Sequence, residues 1–230
     1  MRKKFGKYFL SFAGVNLASF LLYYLSTYLL QNDAVEYVRY FIGEAVDFAL
    51  PVVAAALVSS SLASHGFSAM WLVPIISLGR ITYAYPYYYL YLVEGRVLTD
   101  EALLLAIPYS LASVILDCLI VFVLVFVIYL VTVLLAGKRR RDFGQSVDAI
   151  KSPFDFSSEY TVGLLVGSLC IFAVKLIAEI IDAVTYIVEY KGSYSYGEIV
   201  YMVVSFVMLA AELLLAHYVA VRVARDNHKK

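Results

Sequence analysis

Long apolar stretches are the feature that most constrains what this chain can fold into. A helix needs about 20 predominantly apolar residues to cross the hydrocarbon core of a bilayer, which is about 30 Å thick. Six such stretches occur, and they cover approximately residues 8–30, 45–65, 67–93, 102–136, 161–189 and 198–222. Because backbone groups surrounded by lipid must form their hydrogen bonds within the segment, we expect each stretch to be a helix.

These stretches predict an all-α fold: a polytopic integral membrane protein with a six-transmembrane-helix bundle. The bundle forms a single transmembrane domain over residues 1–230, because the largest soluble segment, the cytoplasmic loop 138–160, is too short for a separate domain. The first stretch exceeds the roughly 7–15 apolar residues of a secretory signal peptide, so we expect it to be a retained span.

Composition agrees with a membrane protein and argues against two other classes. Hydrophobic residues make up 63% of the chain and charged residues 16%, against about 45–50% and about 25% in a soluble domain. The formal net charge is zero, so the chain lacks the positive charge with which a nucleic-acid-binding protein meets phosphates. We therefore expect the lipid bilayer to be a partner, and no nucleic acid.

The distribution of Lys and Arg predicts the orientation, because cytoplasmic loops carry an excess of these residues. With the N-terminus in the cytoplasm, 13 of the 18 Lys and Arg residues lie on the cytoplasmic side, including the basic run at 138–141. Three lie on the outer side, namely Arg39, Arg96 and Lys191. This distribution predicts a cell-membrane protein with both the N- and the C-terminus in the cytoplasm.

Eight ionisable residues lie inside the predicted spans. A charge at the bilayer centre costs at least about 2.5–3.5 kcal/mol, so we expect these side chains to face one another, or water, inside the bundle. Four acids are predicted toward the outer side: Glu44, Asp47, Glu179 and Asp182. Four further residues are predicted to form a layer near the middle of the membrane: Arg80, Asp117, Lys175 and Glu212.

The pairing of these charges can be anticipated in part. Lys175, Glu179 and Asp182 share one helix face by their spacing, so Lys175 can pair within its own helix. Arg80 is expected to pair with Asp117 or Glu212. A structural ion-pair network and a binding or permeation site are both compatible with these residues, and an acid–base catalytic site is a third alternative.

Tyrosine is concentrated in the half of the protein predicted to face outward, which holds 16 of the 21 tyrosines. The segment 83–91 alone contains six, including Tyr87. Tyrosines at a membrane surface are typical of an interfacial belt. The alternative is an aromatic vestibule above the acids, which would suit a cationic or aromatic ligand.

Small residues four positions apart permit close packing of membrane helices. Gly14 and Ala18 form such a pair in the first span, and Gly163 and Gly167 form one in the fifth. Either face could pack within the bundle, against a partner membrane subunit, or against a second copy. In size, span number, cytoplasmic termini and the small-residue pair on its first span, the chain is similar to the substrate-capturing subunits of vitamin-type ABC importers. That similarity covers general architecture and carries over no functional residues.

The chain contains no motif that names a reaction. Gly-x-Ser-x-Gly and His-Glu-x-x-His do not occur, and His65, His217 and His228 lack metal-ligand spacing, so we expect no catalytic residue, metal or cofactor. The sequence predicts transport or binding of a small molecule or ion through an outward-facing acidic, Tyr-rich cavity. The alternative is a non-catalytic assembly or regulatory subunit that acts through helix–helix contacts.

Overall fold

The computed structural model of the chain describes residues 2–30, 33–136, 141–190 and 196–228. Every regular element within these residues is helical, which confirms the predicted all-α class. The α-helices described are α1 (Arg2–Tyr24), α2 (Asp33–His65), α3 (Leu72–Ser77), α4 (Ile81–Glu94), α5 (Thr99–Ala136), α6 (Arg141–Asp148), α7 (Glu159–Tyr190) and α8 (Tyr196–His228). A π-helical segment (Leu25–Leu30) extends α1, and two 3-10 helices (Gly66–Trp71 and Leu78–Arg80) flank α3.

Five helical stretches are long and apolar enough to cross a membrane, and they indicate a membrane protein. They are Gly6–Leu30, Tyr37–Glu94, Thr99–Ala136, Glu159–Tyr186 and Val203–His228. The second is 58 residues long, and a straight helix of that length would extend about 87 Å, roughly three times the hydrocarbon thickness. The chain folds back within it, because Asp47 and Arg80 are 33 residues apart in sequence and their side chains are in contact.

The chain reverses at Gly66, whose φ of 61° is a value that glycine adopts readily and other residues rarely do. The prediction of one helix over 67–93 is therefore wrong in detail, since α3 and α4 are separated by 3-10 turns. Gly79, in the second of these turns, lies directly against α1. A Cβ atom at Gly79 would be 2.9 Å from the backbone nitrogen of Ala13, so only glycine permits this approach.

The central helix of the bundle is α2. It begins at Asp33, well before the predicted start at 45, because polar side chains near its beginning lower the hydropathy of a segment that is nevertheless helical. Farther along, Phe48, Ala55 and Val58 are completely buried. The helix α8 packs most extensively against α2, so the first core of the fold lies between these two helices.

The glycine pair of α7 packs inside the bundle, against α5. A Cβ atom at Gly163 would lie 2.9 Å from the carbonyl oxygen of Ile128, and one at Gly167 would lie 2.8 Å from a side-chain carbon of the same residue. This face is therefore not available to a partner, because α5 covers it. Gly14 faces open space and Ala18 is exposed, so the small-residue face of α1 lies on the surface.

The two ends of the chain meet at one end of the bundle. The Tyr8 hydroxyl on α1 donates a hydrogen bond to the side-chain oxygen of Asn227 on α8. The amide nitrogen of Asn227 in turn donates to the hydroxyls of Ser60 and Ser61 on α2, at 3.0 and 2.9 Å. The first, second and last long helices are thus joined by one polar network.

The predicted loop 138–160 lies at this same end and is largely packed. It contains α6, whose Asp148 is 2.9 Å from His228 at the end of α8. Phe143, Val147 and Ile150 are buried in the same apolar core as α2 and α8. The side chains of the basic run 138–141 lie outside the part of the chain that the structure describes.

The outer surface of the long helices is apolar, as contact with lipid requires. On α5, for example, Leu104, Ile115, Phe126 and Leu134 are each more than half exposed. A soluble protein rarely presents such large contiguous apolar patches to water. This surface is consistent with a bilayer as the surroundings of the bundle.

Candidate functional site

Two acids of α2 each face a cation on another element. Asp47 Oδ1 lies 2.5 Å from Nη1 of Arg80, which ends the 3-10 helix before α4. Glu44 Oε2 lies 2.7 Å from Nζ of Lys175 on α7. Glu44 and Asp47 are three residues apart, so they lie at nearly the same depth along α2. Ion pairs thus link the central helix to the 3-10 helix before α4 and to α7.

The first group of residues, which we name the Arg80 centre, consists of Arg80, Asp47, Asn16 and Tyr83. Nη1 of Arg80 also donates to the side-chain oxygen of Asn16, at 3.3 Å. The guanidinium carbon lies 4.8 Å from the centre of the Tyr83 ring, which is a cation–π distance. Asn16 is buried and donates its amide to the carbonyl of Phe12, so its oxygen is held toward the arginine.

The second group, the Lys175 centre, consists of Lys175, Glu44 and Glu212. Nζ of Lys175 lies 4.0 Å from Oε2 of Glu212 on α8, and it also donates to the backbone carbonyl of Glu44 at 3.3 Å. The ring of Phe48 lies 5.6 Å from the same nitrogen. The Glu212 side chain is only 5% exposed. The single ammonium group of Lys175 therefore lies near two carboxylates, the half-buried one of Glu44 and the buried one of Glu212.

Both pairings predicted from the sequence are wrong. Lys175 pairs across helices with Glu44 instead of within α7, and Arg80 pairs with Asp47 instead of Asp117 or Glu212. The cause is the early start of α2, which places its two acids well inside the helix rather than near an outer end. Glu44 and Asp47 contact Lys175 and Arg80 directly, so these two acids are level with cations that the sequence placed in a separate layer. The depth of the eight residues in a membrane stays a prediction.

A cavity of about 260 Å³ lies between α1, α2 and α4, and we name it the tyrosine cavity. Its wall includes Tyr23, Tyr40, Tyr83 and Tyr87, together with both acids of α2, Glu44 and Asp47. Tyr87 stacks on Tyr83 at 5.6 Å and meets Tyr23 edge to face at 5.4 Å. Tyrosine rings and the two acids of α2 therefore lie together in one cavity wall, on one side of the bundle.

A second cavity, of about 170 Å³, lies next to it, and we name it the inner cavity. Asn16, Asp47, Arg80 and Asp117 supply its polar wall, and the remaining wall is mostly apolar. Asp47 lines both cavities, so its carboxylate stands at the boundary between them. Pro51 also lines the inner cavity, and because proline has no N–H, the carbonyl of Asp47 loses its usual helical partner.

Glu179 and Asp182 lie on α7, away from the walls of both cavities. Glu179 is close enough to Lys175, Glu44 and Asp182 for electrostatic interaction. Asp182 is exposed. These two predicted site residues therefore border the Lys175 centre and do not join the cavities.

Three residues of the site were missed in the sequence: Asn16, Arg39 and Gly43. Arg39 and Gly43 line the tyrosine cavity, and the guanidinium of Arg39 lies 5.0 Å from the Tyr23 ring. Arg39, Gly43 and Asp47 follow one another at intervals of four, so a helix that begins at Asp33 places them on one face. Asn16 could not be found from its spacing, because a single amide in an apolar helix does not predict which residue it contacts or how deep in the membrane it lies.

The arrangement offers carboxylates, aromatic faces and a bound guanidinium around two adjoining cavities. A carboxylate and a ring face both attract cations, and here Arg80 and Arg39 already lie against such groups. Among the described residues, no three His, Cys, Asp or Glu side chains are grouped so as to hold a metal ion. Comparison of the chain with protein families, curated proteins and solved structures gave no match, so the architectural similarity to importer subunits finds no support there.

Proposed function

We propose that the chain crosses the membrane six times, with both termini in the cytoplasm. The fold-back at Gly66 supports two crossings within the 58-residue stretch Tyr37–Glu94. The contact between Tyr8 and Asn227 supports an even number of crossings, because it brings both ends of the chain to one side. The excess of Lys and Arg at that side supports the cytoplasm as its location.

We further propose that the protein binds and transports a small organic cation, which enters through the tyrosine cavity. The observation that carries this proposal is that one cavity joins four tyrosine rings to Glu44 and Asp47. Its volume of about 260 Å³ is just below the usual range for ligand pockets, roughly 300–1,000 Å³, so the ligand is small. No catalytic step forms part of the proposal.

Binding of simple organic cations to the purified protein tests this function. Guanidinium, tetramethylammonium and phenethylammonium serve as probes, with calorimetry in detergent micelles and uptake of labelled probe into proteoliposomes as readouts. We expect Gly43→Leu to reduce binding of the best probe at least about tenfold, because the leucine side chain fills the cavity without meeting a neighbour within 4 Å of its Cβ. Gly14→Leu is the matched control, because Gly14 faces open space on the far side of α1.

Substitution of two adjacent tyrosines gives a second, independent test of cation binding. Tyr87 lines the cavity, whereas the adjacent Tyr88 stacks on Tyr109 at 5.5 Å and is not among the lining residues. Tyr87→Ala should weaken binding about three- to tenfold through the lost ring face. Tyr88 meets Tyr87 edge to face without lining the cavity, so Tyr88→Ala should weaken binding less. Equal effects of the two variants, or no binding of any probe by the wild-type protein, would refute the proposed function.

A second candidate function is assembly with another membrane helix through the Gly14–Ala18 face of α1. The observation that favours it is that a Cβ atom at Gly14 would meet nothing within 4 Å, while apolar Leu10, Leu17 and Leu21 around it are exposed. Light scattering of the detergent-solubilised protein tests it. Assembly predicts a mass above one chain that Gly14→Leu lowers and Gly43→Leu does not, the reverse of the pattern expected for cation binding.

A further inference from the structure

We propose that binding of a cation at Asp47 moves the Arg80 guanidinium from Asp47 to Asp117 and expels the proton of Asp117, so that the protein exchanges an organic cation for a proton. This inference rests on the proposed function, since it concerns what happens when a cation reaches the tyrosine cavity. It assigns a separate role to Asp117, which receives the displaced guanidinium and releases its proton without touching the ligand.

Arg80 stands between two carboxyl groups. Its guanidinium contacts Asp47 at 2.5 Å, and it interacts electrostatically with Asp117 as well. Arg80 and Asp117 lie on the wall of the same inner cavity, so the space between them is open to a moving guanidinium. Arginine has several rotatable side-chain bonds, and its guanidinium has five N–H donors. Nη1 donates to Asp47 and Asn16, so the N–H groups of Nε and Nη2 can bind a second carboxylate.

Asp47 is the group that a ligand and Arg80 would share. It lines the tyrosine cavity on one side and the inner cavity on the other. A cation that arrives through the tyrosine cavity meets an acid that already holds a guanidinium, together with the ring of Tyr83, on which that guanidinium lies. The surroundings of Arg80 are therefore a cation site that the protein fills with its own side chain until a ligand competes for it.

Charge balance requires that Arg80 find another acid once it leaves Asp47. An unpaired guanidinium inside a bilayer costs several kcal/mol, and Asp117 is the carboxyl group on the wall of its own cavity. Within the described residues, Asp117 has no cation at ion-pair distance in the resting arrangement. The proposed exchange begins with Asp117 neutral, the form that a carboxyl group without a counterion takes in surroundings of low polarity.

The exchange then balances in every step. Before it, Asp47 is ionised and paired with Arg80, and Asp117 carries a proton. After it, the ligand cation pairs with Asp47, Arg80 pairs with the ionised Asp117, and the Asp117 proton has left to water. The site gains one positive charge and loses one, so its net charge within the membrane does not change.

Calorimetry with guanidinium chloride as the probe tests the exchange. Titrations of the purified protein in buffers with different ionisation enthalpies count the protons released per cation bound. We expect about one proton released per guanidinium in the wild-type protein, and an affinity that rises about tenfold per pH unit while Asp117 is protonated at rest. Asp117→Asn should bind guanidinium more weakly, because the displaced Arg80 finds no second acid, with no proton released and no dependence of its affinity on pH.

Control variants address the other titratable groups near the site. Two charged groups on other elements face Asp117: Arg80, from the 3-10 helix before α4, and Asp47, from α2. Cys118 is its neighbour on α5. Cys118→Ser, Glu179→Gln and Asp117→Glu should all retain the proton release, the last because it restores a carboxyl group. Each variant is compared with the wild-type protein in thermal unfolding to establish that it is folded.

The outcomes separate this inference from the proposed function. Guanidinium binding without proton release, or proton release that persists in a folded Asp117→Asn variant, would overturn the exchange and leave cation binding standing. If Asp117→Asn fails to fold, retention of release by Asp117→Glu and its loss in Asp117→Leu decide the same question. Failure of the wild-type protein to bind any of the three probes would end both proposals.

Discussion

The Arg80 centre and the Lys175 centre are built from the same parts and placed in different surroundings. Each pairs one acid of α2 with a cation on a neighbouring element, at 2.5 and 2.7 Å. The Arg80 centre borders two cavities and includes an amide and an aromatic ring. The Lys175 centre borders only the tyrosine cavity, through Glu44, and it adds a second acid, Glu212, whose side chain is almost fully buried.

This difference separates two uses of an ion pair within a membrane. A pair that borders cavities can exchange partners, because water or a ligand can replace either member. A pair that includes a buried acid is fixed, because removal of the cation leaves a charge with no replacement. If the proposed function holds, we expect the ligand to compete at the Arg80 centre and the Lys175 centre to attach helices, and the variants below test this division by their effect on stability.

The largest loss of stability is expected for Lys175→Met. The substitution removes the cation from both Glu44 and the buried Glu212, and we expect a loss of about 3 kcal/mol in the free energy of unfolding. Titration with sodium dodecyl sulfate in mixed micelles measures it. The triple variant Lys175→Met, Glu44→Gln and Glu212→Gln should recover more than half of the loss, and a triple variant no more stable than the single one would contradict the structural role.

Arg80→Met should cost less, about 1–2 kcal/mol in the same titration. Asp47 loses its partner but borders two cavities, so water or a proton can compensate part of its charge. The double variant Arg80→Met and Asp47→Asn is the control and should be close to the wild-type protein in stability. A loss in Arg80→Met that exceeds the loss in Lys175→Met would reverse the division between the two centres.

Asn16→Ala should lower the free energy of unfolding by about 1 kcal/mol. The variant removes the hydrogen bond to the Phe12 carbonyl and the acceptor for Arg80. Because the amide orients the guanidinium without carrying charge, the variant should also change guanidinium affinity by less than Asp47→Asn does. An unchanged stability would show that Asn16 does not hold Arg80 in place.

The smallest effect is expected for Glu179→Gln and Asp182→Asn, each within about 0.5 kcal/mol of the wild-type protein in the same titration. Neither residue lines a cavity, and Asp182 is exposed on α7. A loss above about 1 kcal/mol for Glu179→Gln would place it inside the Lys175 centre and enlarge that group.

The membrane class and most helix positions could be predicted from the sequence, because long apolar stretches leave one structural solution in lipid. Thr99, Asp100 and Glu101 begin α5 as their helix-start chemistry suggests. The pairing of charges could not be predicted, because it depends on how far each helix extends and how it is rotated. The start of α2 is the decisive case. Polar residues at its beginning lower the hydropathy there, so the sequence did not predict how far the helix extends before Glu44 and Asp47.

The sequence distance between the partners of each ion pair has a consequence for synthesis. Arg80 follows Asp47 by 33 residues, so that pair can form soon after both have left the ribosome. Lys175 follows Glu44 by 131 residues, which at about 5–20 residues per second is roughly 10 s of further translation. During that time Glu44 is already part of a nascent helix without its counterion. The two centres therefore differ in the order of their assembly: the pair of Asp47 can be completed early, and the pair of Glu44 only after most of the chain has been made.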